Sequence, residues 1–363
     1  MNPTLRQSIV TLIKIQEWLV AQLVFATLAV LKKLPARKAI RFTDYMARKI
    51  GPLTHRHKLA LQNLELAFPE KSEEEREAIA LDMWGNMARL MAEYILIDKL
   101  IDSGIDTGQG GLIEVEGIDR FLDLVERPRP FIVFTAHTGN FELLPAIAAR
   151  YGLNVTALFR PPNNRYIANK LLAARRTHMG NLVPSRAGAA WNLAGVLDEK
   201  RGVGLLVDQK FRKGPTVQFF GRDVIANPLL AKLARHFDCE VFPARCIRIE
   251  NDRFRLEIEE PITMPKDSDG NVDIQAASQI VNDKVESWIR EYPGQWMWFH
   301  DRWGDPRGFR LDPQQIARAK KYFEKNGQWP VHVRRRKPGQ PLPARLRNAR
   351  RQGGHGRKKT SIE

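Results

Sequence analysis

The stretch Phe131-Ile132-Val133-Phe134-Thr135-Ala136-His137-Thr138-Gly139-Asn140-Phe141-Glu142 constrains this chain most. Its first five residues, apolar or β-branched and preceded by Pro130, fit a strand covered on both faces, which is the environment of a parallel sheet. Parallel strands need crossover connections, usually helical, so the expected fold is α/β with a mostly parallel sheet flanked by helices. His137 then falls at the C-terminal end of the strand, where open α/β sheets place ligands and chemistry. Gly139 and Asn140 offer turn and N-cap residues for a helix running to about Arg150.

The spacing from His137 to Glu142 carries a second expectation. Five helical residues rotate by roughly 500°, so these side chains meet only if His137 lies on the turn and Glu142 on the first helical turns. Glu142 is then expected to hydrogen-bond one imidazole nitrogen while the other takes a proton from a hydroxyl. Such a pair is a general-base dyad without its own nucleophile, and the chain holds no G-x-S-x-G elbow to provide one. The backbone amides of Thr138, Gly139 and Asn140, at the start of the helix, are the expected donors to an oxyanion.

Strand and helix patterns continue on both sides of this turn. Asn154 to Phe159 reads as a strand ending in Arg160, and a helix carrying Arg175 and Arg176 follows. Val203 to Val207 reads as a strand ending in Asp208-Gln209, so three strand ends bring His137, Arg160 and Asp208 to one sheet edge. Thr216 to Phe220 reads as a further strand, Asn227-Pro228 opens a helix, Glu240 to Ile249 with Phe254 to Ile258 reads as a hairpin, and Ile274 to Tyr292 as the last long helix. Residues 36–105 read as helical, with a capping box at Ser72 and Glu75 and an apolar stripe at Ile79, Met83, Met87, Leu90, Met91 and Tyr94 that is expected to pack.

Both termini point to a membrane surface. Trp18 to Leu31 is apolar apart from Gln22 and Thr27, and reaching the ~20 residues of a span requires extending back over Lys14, Gln16 and Glu17. The segment is therefore expected either to span or to lie deep in the interface. No small-residue cleavage site precedes Lys32-Lys33-Leu34-Pro35, which disfavours a signal peptide. Lys32, Lys33, Arg37, Lys38, Arg41, Arg48 and Lys49 follow the apolar run, which places the rest of the chain on the cytoplasmic side.

Of the formal net charge of +17, ten units fall between Arg334 and Glu363, where eleven Lys or Arg face one acid. That tail, rich in proline and glycine and without apolar periodicity, reads as disordered and suited to anionic headgroups. It has no aromatic interleaving or recognised module, so no nucleic-acid partner is expected. The two cysteines, Cys239 and Cys246, form no C-x-x-C or Cys/His cluster, and neither a metal nor any other cofactor is expected. The expected organisation is an N-terminal membrane-anchoring helix over 1–35, a helical subregion over 36–105, an α/β core over 106–311 and a basic tail over 312–363.

Six blocks in register then carry a family resemblance. They are His137-Thr138-Gly139-Asn140-Phe141-Glu142, Asn63-Leu64-Glu65-Leu66-Ala67-Phe68-Pro69-Glu70, Phe159-Arg160-Pro161 with Asn163-Asn164, Asp208-Gln209, Phe219-Phe220-Gly221, and Gln295-Trp296-Met297-Trp298-Phe299-His300. Over roughly residues 9–310 the chain resembles the lauroyl/myristoyl acyltransferases of lipid A biosynthesis, whose H-x-x-x-x-D/E motif is shared with the glycerolipid acyltransferases. The resemblance implies an enzyme at the cytoplasmic face of the bacterial inner membrane. It implies transfer of a fatty acyl chain from acyl carrier protein, or from acyl-CoA, to the hydroxyl of a 3-hydroxyacyl chain on the Kdo-lipid A precursor. His137 and Glu142 fall in its catalytic motif, and Arg160, Arg176 and Asp208 fall in blocks expected to bind substrate. The last block departs from the family pattern at Gly294, Asp301 and Trp303-Gly304, which leaves acyl transfer to a different membrane glycolipid or phospholipid as the alternative.

Overall fold

The computed structural model describes residues 3–304 apart from 96, 103, 106–110, 161–163, 169 and 171–178. Arg175, Arg176 and the basic tail lie outside the described residues. The first half is helical: α1 (Pro3–Lys33), α2 (Ala36–Ile50), α3 (His55–Ala67), α4 (Glu73–Ile95) and α5 (Ile97–Asp102). Ser72 and Glu75 form the capping box, with Glu75 N–H donating to Ser72 Oγ at 3.2 Å and Ser72 N–H to Glu75 Oε2 at 2.7 Å. Two orphan donors at the start of α4 are satisfied in this way. The stripe on α4 splits: Ile79, Met83 and Leu90 are buried, but Met91 is exposed.

The second half is a seven-stranded sheet with the order β1-β9-β8-β2-β5-β3-β4. Its strands are β1 (Ile113–Glu116), β2 (Phe131–Thr135), β3 (Val155–Phe159), β4 (Asn181–Pro184), β5 (Gly202–Leu206), β8 (Glu240–Arg248) and β9 (Phe254–Ile258). β8, β2, β5, β3 and β4 are mutually parallel, and the antiparallel β8–β9 hairpin turns the β9–β1 edge the other way. β1 and β4, four residues each, are not among the strands expected from the sequence.

Thr216–Phe219 does form a strand, β6, yet it pairs outside the main sheet with β7 (Arg222–Ile225). Phe220 at φ +52° and Gly221 at φ +67° make the two-residue turn between them, the left-handed pair that a tight hairpin requires.

Helices cover both faces of the sheet, as the β2 run requires. Ile132 and Phe134 face one core, shared with α3, α4, α8 (Ala189–Asp198), α9 (Leu229–His236) and α10 (Ile274–Glu291). Phe131 and Val133 face the other, with α5, α6 (Ile118–Glu126) and α7 (Leu143–Arg150). Alternate residues of β2 thus belong to different cores.

The second face is incompletely filled. Val133, Thr135, Val155, Ala157, Gly204 and Leu206, on one face of three adjacent strands, line an apolar cavity with about 950 Å³ of empty space, its open mouth included. Phe121 and Leu124 of α6, Leu144 and Ile147 of α7, and Met179 form part of the wall.

Candidate active site

The C-terminal ends of β2, β5 and β3 carry His137, Asp208 and Arg160 to one edge, the parallel order placing them side by side. Val207 N–H donates to Thr135 O at 3.1 Å, which extends the β2–β5 pairing and delivers Asp208 to His137. His137 Nδ1 lies 2.8 Å from Asp208 Oδ1, and His137 backbone N–H donates to Asp208 Oδ2 at 3.0 Å. Trp296 Nε1–H donates to the same Oδ2 at 2.8 Å.

Burial alone would push the Asp208 carboxyl up, but attraction to His137 and these three donors outweigh it and hold the group well below the usual carboxylate range. An ionised carboxylate only accepts. Nδ1 therefore carries the imidazole proton, and Nε2 presents its lone pair. Gln209 Nε2 stands 3.2 Å from that Nε2, and the Phe141 ring packs edge-on to the imidazole at 4.9 Å between centroids.

Glu142, the carboxylate expected to orient the imidazole, stands at the start of the next helix. α7 starts at Leu143, later than Gly139-Asn140 would suggest, so Glu142 is its N-cap residue. Glu142 is buried and, with Phe141, lines the apolar cavity.

The turn between His137 and Glu142 is held by its own backbone and by two neighbouring segments. Thr138 N–H donates to Ala136 O at 2.8 Å, Gly139 N–H to Gln295 O at 3.0 Å, and Asn140 N–H to Cys246 O at 2.9 Å. The three amides expected to bind an oxyanion are thus already committed to carbonyls, that of Thr138 within the turn itself and those of Gly139 and Asn140 because the turn packs against the end of β8 and the 295–296 segment. Gly139 has φ +57°, and a Cβ there would lie 2.1 Å from Cys246 O, so only glycine fits.

Behind the turn, Glu93 of α4 accepts from Asn140 Nδ2 at 2.8 Å and from both terminal nitrogens of Arg248, Nη2 at 2.6 Å. Arg248 Nε donates to Asn86 Oδ1 at 2.6 Å, and Asn86 Nδ2 donates to Gln295 O at 3.0 Å. No local pattern could have found this network, because its members lie on α4, β8 and the C-terminal block.

His300 flanks the site, its Nε2 accepting from Lys210 N–H at 3.2 Å. Burial pushes the His300 imidazole down to about 4 from an ordinary 6.5. Between those values the unfolded chain binds a proton that the folded protein does not, so stability falls on acidification from pH 6.5 towards 4, by at most about 3 kcal/mol. His300→Gln, which keeps an acceptor and cannot be protonated, should flatten the decline of Tm over that interval. An unchanged slope in the variant would assign the acid sensitivity to another group.

Trp296 and Trp298 are buried, packed edge to face with rings 4.6 Å apart. Asn63 Nδ2 ties the end of this block to α3 through Trp298 O and His300 O, each at 2.7 Å. Arg160 is exposed at the end of β3. Arg176 lies outside the described residues.

Comparison with known proteins gives one consistent result. The family model described as bacterial lipid A biosynthesis acyltransferase matches residues 8–305. The chain is 24% identical over 267 residues to the lipid A biosynthesis myristoyltransferase of Escherichia coli K12, covering 71% of this chain and 80% of that protein. It is 25% identical over 258 residues to the lipid A biosynthesis palmitoleoyltransferase of the same organism, covering 69% and 79%. To a lipid A biosynthesis acyltransferase of Haemophilus influenzae it is 21% identical over 275 residues, covering 75% and 83%.

Proposed function

The chain belongs to the bacterial lipid A biosynthesis acyltransferase family, and on that premise we propose that it transfers a fatty acyl chain from acyl carrier protein to a hydroxyl of a 3-hydroxyacyl chain on the Kdo-lipid A precursor. The observation that carries this reading is an imidazole with its Nδ1 proton held by buried Asp208 and its Nε2 lone pair presented at the open edge of the sheet, beside an apolar cavity. A thioester already has an activated leaving group, so the protein mainly needs to position the alcohol and remove its proton, worth about 10²–10⁴ in rate for general-base catalysis.

His137 Nε2 takes the hydroxyl proton as the oxygen attacks the thioester carbonyl. Asp208 holds the tautomer and stabilises the imidazolium. Collapse expels the thiolate, which takes the proton back from His137.

Glu142, at the head of the cavity beside Phe141, is the second carboxylate of this site. We assign it to orienting the reacting groups above the cavity mouth. Arg160 and Arg176 are assigned to the phosphates and acidic sugars of the acceptor, for which guanidinium groups give bidentate contacts.

The cavity is assigned to the acyl chain. Gly204 lines it, and a Cβ there would approach Val155 Cγ1 at 3.3 Å and Ala157 Cβ at 3.7 Å. Gly204→Leu should therefore fill the cavity and shift preference towards shorter acyl donors, read by mass spectrometry of products from a chain-length series. An unchanged chain-length profile would place the acyl chain elsewhere.

Helix α1 has an 18-residue apolar window, Lys14–Leu31, only 11% buried, and we assign it to anchoring in the inner membrane with the core on the cytoplasmic face. Glu17 O of α1 accepts from Asn164 Nδ2 at 2.7 Å, and Lys170 Nζ sits 4.2 Å from the Phe25 ring centre. These contacts set the anchor against the segment that follows β3, on the edge that carries His137.

The test is transfer of labelled acyl chain from acyl carrier protein to the Kdo-lipid A precursor by detergent-solubilised protein. Product from wild type and none from His137→Ala is expected. Wild type that acylates a different membrane lipid and not this acceptor would overturn the acceptor assignment.

A further inference from the structure

Beyond the base and its carboxylate, we infer that the Gln209 side chain is itself a catalytic group: its amide N–H occupies the His137 lone pair in the resting protein and is handed to the thioester oxyanion during transfer. This rests on reading His137 as the general base.

The geometry begins with one dipeptide. Asp208-Gln209, at the end of β5, brackets the imidazole: Asp208 takes Nδ1 at 2.8 Å, and Gln209 Nε2 lies 3.2 Å from Nε2. Because Asp208 fixes the proton on Nδ1, the other nitrogen only accepts, and Gln209 must face it with an N–H. The dipeptide is held at its far side as well. Lys210 N–H donates to His300 Nε2 at 3.2 Å, and Lys210 Nζ pairs with Asp301 Oδ2 at 3.3 Å. The carboxamide therefore projects from an anchored backbone.

A tetrahedral intermediate needs donors placed before the charge develops. The amides of Thr138, Gly139 and Asn140 are already donated to Ala136 O, Gln295 O and Cys246 O, and buried hydrogen bonds of this kind are costly to give up. A side-chain carboxamide beside Nε2 moves at the cost of one rotamer change.

The acceptor hydroxyl displaces Gln209 from Nε2 and donates its proton there as the new C–O bond forms. The carbonyl π electrons move onto oxygen, and Gln209 N–H donates to that oxyanion. The carbonyl re-forms, the C–S bond breaks, and the thiolate leaves with the proton from His137.

The experiment compares wild type, His137→Ala, Gln209→Ala and Gln209→Glu as full-length, detergent-solubilised protein, with acyl carrier protein thioester as donor. kcat, both KM values, the pH profile of kcat/KM and Tm are recorded for each. Gln209→Ala should lose about 10²–10³ in kcat, the cost of one oxyanion donor, with both KM values and Tm little changed. In Gln209→Glu a carboxylate beside Nε2 favours the imidazolium, so the acid limb should move to higher pH by about one unit or more. A packing role would move Tm and leave the acid limb where it was, and that result overturns the inference. So does full activity in Gln209→Ala. Activity in His137→Ala equal to wild type is a separate outcome, which removes the general-base reading itself.

Discussion

Alanine at His137 should abolish acyl transfer, and asparagine at Asp208 should lower kcat about 10³–10⁴-fold, the range set by loss of the correct imidazole tautomer. The Asp208 carboxylate accepts from His137 Nδ1–H, His137 N–H and Trp296 Nε1–H. An asparagine presents one oxygen and one NH₂ group, so at least one of these donors would face another donor. If the NH₂ meets the imidazole, Nδ1 must become the acceptor and the proton moves to Nε2, where it blocks base catalysis. Burial sharpens the effect, because a mispaired polar group there has no water to turn to.

kcat and Tm of the two variants, with Glu142→Ala beside them, decide the matter. Full activity in Asp208→Asn together with none in Glu142→Ala would transfer the orienting role to Glu142.

Glu93→Ala should cost on the order of 3–5 kcal/mol, because it strands the Arg248 guanidinium in the interior without its counter-charge. Side-chain exposure is 10% for Arg248 and 3% for Glu93, so solvent cannot replace the missing partner. At about 2 cal/mol/K of unfolding entropy per residue, each kcal/mol moves Tm of a chain of this size by roughly 1–2 °C, giving a drop on the order of 5 °C.

The same substitution removes the acceptor of Asn140 Nδ2, so the turn between His137 and Glu142 loosens and activity should fall as well. A double replacement separates the two effects. Glu93→Leu with Arg248→Leu removes both charges, and substituting a buried pair by apolar residues is often neutral for stability. Near-normal Tm with depressed kcat in the double variant is the expected result of scanning calorimetry and the transfer assay. Normal kcat at normal Tm would mean that the network stabilises the fold without setting the turn.

What the sequence determined by itself is what local chemistry can encode. The run Phe131–Thr135 reports a strand buried on both faces, and that is where β2 lies, with Ile132 and Phe134 in one core and Phe131 and Val133 in the other. Ser72 and Glu75 report a helix start, and Glu240 to Ile258 a hairpin, because caps and strand alternation are built from residues close in the chain. The arrival of His137, Arg160 and Asp208 at one edge also follows from reading three parallel strand ends.

Only the tertiary structure decided which groups touch. Asp208 lies 71 residues from His137 and Trp296 lies 88 from Asp208, distances over which no periodicity or spacing carries information. The insertion of β5 between β2 and β3 makes Asp208 the partner of Nδ1, while the late start of α7 leaves Glu142 at the cavity wall. The same holds for the clamp of Glu93, Asn86 and Arg248 on the turn. A hydrogen bond between distant segments depends on strand order and helix placement, and those are settled when the whole core packs.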